Sequence, residues 1–230
     1  EVFLLPPSEC FRLRGLTPAP PKLPGSAALA LETPPDWARS GRETATVEAS
    51  QATVADDFRV RTINVAGTTV SIFEVADPTS DDGCDADSPR SAMCGGVLWP
   101  GSRAAAEALA ELSLAGRTVV EIGAGTGLCS LAAAIMGAAE VIATDASPGV
   151  LELIEAAAAA QDLGAVRTQV FDFLGASAAS PVRGVDIAVA ADLLYTEEIT
   201  RAVARTCAAL KRGGAAVIVT DSQRRHRDAF

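Results

Sequence analysis

The chain has 230 residues, of which 49% are hydrophobic, enough for one sizeable core. A net charge of -10 argues against nucleic acid as the main partner and suits a basic protein or a cationic small molecule. No apolar run reaches the ~18 residues of a membrane span, and five scattered cysteines without a C-x-x-C pair point to reduced thiols and no metal site.

The lone His226 has no neighbours for a catalytic triad. Residues 1–54 are broken by Pro6, Pro7, Pro18, Pro20, Pro21, Pro24, Pro34 and Pro35 and read as an irregular tail ahead of a domain over 55–230. The chain starts at Glu1 rather than Met, and its first fifty residues carry acids that organellar import peptides avoid. A cytoplasmic location is the expectation.

Phe58 to Val65 and Thr68 to Val75 alternate, with Ala66-Gly67 between them, and predict a hairpin. Asp77 to Ser88 reads as a solvated acidic loop without calcium-loop spacing. Ser102, as N-cap, opens a helix to Leu114 that leads to a strand over Thr118–Ile122. A helix over Gly127–Met136 and a strand over Glu140–Thr144 follow. Ser147-Pro148 opens a helix to about Gln161. Strands are expected over Val166–Phe171, Val185–Ala190 and Ala215–Thr220, with a helix from Thr196 to Lys211-Arg212 before the last. This alternation specifies α/β with a parallel sheet.

The chemistry concentrates where Val119-Val120-Glu121-Ile122-Gly123-Ala124-Gly125-Thr126-Gly127 joins strand to helix and Asp145 closes the next strand. Gly123 and Gly125 allow a tight turn and close approach of a ligand, and Gly127 close helix packing. Asp145 is placed to accept two ribose hydroxyls. An acid before the first glycine repels a pyrophosphate and tolerates a cationic amino-acid end.

Glu121 to Gly127 resembles the first motif of Rossmann-like S-adenosylmethionine-dependent methyltransferases. The resemblance implies that Glu121, Gly123, Ala124 and Gly125 hold the methionine moiety and Asp145 the ribose. It also implies that Asp172 reaches the adenine amine, with Phe173 and Leu174 against the ring or simply in the core. Gly96-Val97-Leu98-Trp99-Pro100-Gly101-Ser102 and Ala191-Asp192-Leu193-Leu194-Tyr195, with the hairpin, narrow this to methyltransferase family 16, the seven-strand protein-lysine methyltransferases. Trp99 then matches the tryptophan near the cofactor, Ala191 a small pocket residue, and Asp192 and Tyr195 the D-x-x-Y pair at the acceptor channel.

The implied partner is a protein presenting a lysine, its identity and the oligomeric state open. Asp192 is expected to orient the amine and help accept its proton, and Tyr195 to wall the channel or hold the cation. Two departures stand out. The chain ends ten residues after the fifth core strand, so the family's closing hairpin is expected to be missing: either the sequence is a fragment, or something else covers the apolar edge of that strand, which left open would invite aggregation. Where relatives carry asparagines, this chain has Glu155, Ala156 to Ala160 and Gln161, so substrate recognition is expected to differ.

Overall fold

Strand and helix alternate in the order the apolar runs dictate. The computed structural model describes residues 2–5, 58–75, 95–175, 182–222 and 226–230. The expected loop over Asp77–Ser88 and most of the expected irregular tail lie outside them. The elements are β1 (Val2–Leu5), β2 (Phe58–Val65), β3 (Thr68–Val75), α1 (Pro100–Ala110), β4 (Thr118–Ile122), α2 (Leu128–Ile135), β5 (Glu140–Asp145), α3 (Pro148–Ala159), β6 (Val166–Val170), β7 (Ile187–Ala191), α4 (Glu197–Arg212) and β8 (Ala216–Thr220).

One parallel sheet runs β1-β8-β7-β4-β5-β6, and β2 and β3 pair separately as an antiparallel hairpin. Alternation along the buried strands serves two cores. Val119, Val141, Val189 and Ile218 face α1, α2 and the hairpin residues Val65, Val70 and Ile72. Val120, Ile142, Ala190 and Val219 face Val203 and Leu210 of α4. Strands covered on both faces need these near-continuous apolar runs. The hairpin turn places Ala66 at φ +48° and Gly67 at φ +85°, and Asn64 Oδ1 accepts the Gly67 N–H at 3.1 Å. Two positive φ angles match the right-handed twist of the strands.

Two local expectations change. The helix expected from Ser102 begins at Pro100 and ends at Ala110, with Trp99 as N-cap and no side-chain cap bond. Pro100 fixes a helical φ where no N–H is needed, so Ser102 falls inside the first turn, buried. Secondly, Val2–Leu5, inside the stretch read as irregular, pair in parallel with Val217–Thr220. They cover the edge of β8, as one of the two expectations for that strand had it. At α4 the expectation holds, because Thr196 Oγ1 accepts the Ile199 N–H.

Candidate functional site

Strand order reverses between β4 and β7: from β4 the chain moves outward to β5 and β6, and from β7 outward to β8. In such sheets the binding crevice lies outside the carboxyl ends at the reversal. The glycine turn follows β4 there, and the Asp192–Tyr195 turn follows β7.

Gly123, Gly125 and Gly127 all have positive φ (+60°, +54° and +70°). A Cβ on Gly123 would stand 2.7 Å from Leu193 Cδ2, and one on Gly125 3.0 Å from the Gly95 carbonyl oxygen. These faces are met by the protein itself, so close protein packing is one reason that no side chain stands there. Gly127 fits its expectation, since a Cβ there would lie 2.8 Å from Ile154 Cγ1 of α3. Ala124 is buried against Leu151 and Ile154.

Asp145 stands half-buried at the end of β5. Its Oδ2 accepts the Gly125 N–H at 3.1 Å and its Oδ1 the Ser147 N–H at 2.9 Å. Each oxygen keeps acceptor capacity, so the pair of acceptors fits the two hydroxyl donors of a sugar diol. Glu121 differs. It is 1% exposed and its Oε2 accepts the Ser130 N–H (2.8 Å) and hydroxyl (2.6 Å). Burial raises its carboxyl to about 7, against the lowering effect of the Ser130 hydrogen bonds. It braces α2 against β4 and has no open face on the crevice.

Asp172 is exposed beyond β6, and its Oδ1 accepts the Leu174 N–H at 2.8 Å. Phe173 packs into the α4-side core with Val120, Ile122 and Ile142, the core reading of its two alternatives. Leu174 is 44% exposed. Ala191, at 7% exposure, closes β7.

Asp192 is 4% exposed and sits at φ +60°. Its Oδ2 accepts the Gly101 N–H at 2.7 Å, and its Oδ1 accepts the Ser222 N–H (3.1 Å) and hydroxyl (2.6 Å). Tyr195 is 41% exposed at the rim. Trp99 is half-buried, between Leu98 and the first turn of α1.

Three residues that the sequence reading missed complete this end of the sheet. Glu74, 1% exposed, accepts the Leu98 N–H at 2.9 Å. Gly101 and Ser222 are the partners of Asp192. Glu74 had a signal: it falls on the apolar face of an alternating strand, after Val70 and Ile72. The structure thus gathers the glycine turn, Asp145, the Trp99 segment and the Asp192 turn around the reversal, with Asp172 beyond β6.

A family model described as lysine methyltransferase matches residues 82–230. A search of curated proteins found no match. Among solved structures, the T. thermophilus 16S rRNA N2 G1207 methyltransferase, in complex with AdoMet and guanosine, is 19% identical with a TM-score of 0.51, over 75% of this chain and 44% of that one. The Haemonchus contortus phosphoethanolamine N-methyltransferase 1, with phosphoethanolamine and S-adenosylhomocysteine, is 22% identical with a TM-score of 0.39, over 50% of this chain and 24% of that one. The Trypanosoma brucei PRMT1 enzyme-prozyme complex with AdoHcy is 28% identical with a TM-score of 0.32, over 38% of this chain and 26% of that one. The chain spans less than half the length of each of these proteins. The first of them shares the fold. Among the described residues, no helix is long and apolar enough to cross a membrane.

Proposed function

The chain belongs to the lysine methyltransferase family, and from that premise we propose that it transfers a methyl group from S-adenosylmethionine to the ε-amine of a protein lysine. The observation that carries this reading is the meeting of two turns at the strand reversal. Leu193 lies against Gly123 on the cofactor side, while Asp192 of the same turn lies against Gly101 beside Trp99.

Asp145 would hold the ribose, the turn from Gly123 to Gly125 would run beside the methionine end, and Asp172 would reach the adenine amine. Glu121 supports that turn from beneath through Ser130. When bound, the cofactor supplies an electrophilic methyl on a sulfonium.

The remaining work falls to the acceptor side. A free lysine, with a pKa of about 10.4, is an ammonium at neutral pH and has no lone pair to attack with. Desolvation at the crevice would disfavour that charge, and orientation would supply most of the rest. Tyr195, exposed at the rim, offers a ring face to the incoming cation. Ala191 leaves room at the end of β7.

The test is methyl labelling of a cell extract with deuterated S-adenosylmethionine, read by mass spectrometry. Label on lysine supports the proposal. Label on arginine, on RNA or on a small molecule overturns the acceptor. Cofactor binding without any transfer overturns the enzyme.

A further inference from the structure

The segment Gly95–Trp99 crosses the carboxyl end of the sheet and runs into Pro100 and Gly101, the first residues of α1. Its first residue abuts the glycine turn, where the Gly95 carbonyl lies beside Gly125. The Val75 N–H donates to the Gly96 carbonyl at 2.9 Å. Two buried carboxylates then hold the rest. Glu74 accepts from Leu98 N–H at 2.9 Å, and Asp192 accepts from Gly101 N–H at 2.7 Å. Trp99 and Pro100 span the gap between these anchors.

Each anchor is itself fixed. Arg59 Nε lies 3.2 Å and Arg61 Nη1 3.3 Å from the Glu74 carboxylate. Ser222 donates to Asp192 through both its N–H and its hydroxyl. Thr220 Oγ1 donates to the Gly101 carbonyl at 2.7 Å. A Cβ on Gly101 would stand 2.8 Å from Asp192 Oδ2, so glycine is what lets the carboxylate reach the backbone. Hydrogen bonds to an ionised acceptor are about twice as strong as neutral ones, and removing a buried acceptor strands its donor.

We propose that Glu74 and Asp192 are paired positioning residues that suspend Trp99 over the cofactor crevice, and that Asp192 acts through this arch rather than by taking the lysine proton, which leaves to water. Asp192 Oδ1 already accepts two hydrogen bonds from Ser222 and Oδ2 one from Gly101, and the group is 4% exposed, so burial keeps what acceptor capacity remains away from a substrate amine. The inference rests on the methyltransferase reading only for what fills the crevice.

The chain has two tryptophans, so in a Trp37→Phe background the emission reports Trp99 alone. Without cofactor, Glu74→Ala and Asp192→Ala are each expected to move this emission to longer wavelength and to increase its quenching by acrylamide. Each is also expected to raise KM for S-adenosylmethionine, about ten-fold. Glu74→Gln keeps an acceptor for Leu98 and is expected to restore both the emission and KM. Asp192→Asn turns an amide donor toward Gly101 or Ser222, so it shifts the emission and lowers kcat/KM while leaving the shape of the pH profile unchanged.

Unmoved emission in Glu74→Ala removes the arch. Unmoved emission in Asp192→Asn together with a lost limb of the pH profile makes Asp192 the proton acceptor. If the alanine variants fail to fold by circular dichroism, Glu74→Gln and Asp192→Asn decide alone, and a red-shifted Glu74→Gln overturns the proposal. Calorimetry of the unaltered chain with S-adenosylhomocysteine tests the underlying reading separately, since the emission measurements need no ligand.

Discussion

Glu121 shows how far burial can take a carboxyl group. Its folded value of about 7 lies above the ordinary 4.5 because desolvation outweighs the Ser130 hydrogen bonds. Between those values the folded chain holds a proton that the unfolded chain has released. Stability is therefore greatest below the unfolded value and falls as pH rises through the folded one, by about 3 kcal/mol in all. Glu121→Gln is expected to flatten that slope in denaturant titrations between pH 4.5 and 7. An unchanged slope would place the pH dependence elsewhere. Asp145 belongs to the proposed ribose site instead. On that proposal, Asp145→Ala is expected to show a loss of roughly 1.5–3 kcal/mol in calorimetry with S-adenosylhomocysteine. Equal affinity in variant and parent would end the ribose assignment.

The hairpin is held to the sheet domain by single side chains as well as by its apolar face. Gln161, just beyond α3, accepts the Ser71 N–H on Oε1 at 2.8 Å and donates from Nε2 to the Ser71 carbonyl at 2.7 Å. It completes β3 as another strand would. The sequence had linked this stretch to altered substrate recognition; the described contact gives Gln161 a docking role. Gln161→Ala is expected to cost about 1–3 kcal/mol and to speed amide exchange in β2 and β3 before β4 and β5. Uniform exchange would contradict it. The core strands and their helices were readable because each carries its own apolar period, and Thr196 its own capping side chain. The start of α1 was misplaced because Ser102 looked like a cap, whereas Pro100 sets that boundary through its ring alone. Asp145 was legible from its place after a strand. The bonding of Asp192 was not, because Gly101 and Ser222 reach it from distant parts of the chain.

At the scale of the whole molecule, the sheet has two unlike margins. β6 ends one side with Val170 58% exposed, while β8 on the other is paired by β1. Edge strands left open recruit other chains. A variant lacking residues 1–5 is therefore expected to scatter more light on concentration while keeping its far-ultraviolet helix signal; equal scattering would show that β1 does not protect the edge. The four residues of β1 left no trace in the local pattern, because a pairing this remote needs no periodicity of its own. Val2 meets Val217, and Leu5 meets Thr220. During synthesis Val2 must wait for Val217 to emerge before finding its partner. Contacts so distant along the sequence carry the largest closure entropy and form late. The margin beside β8 is thus sealed after translation has passed Thr220, and a nascent chain is at its most adhesive just before then.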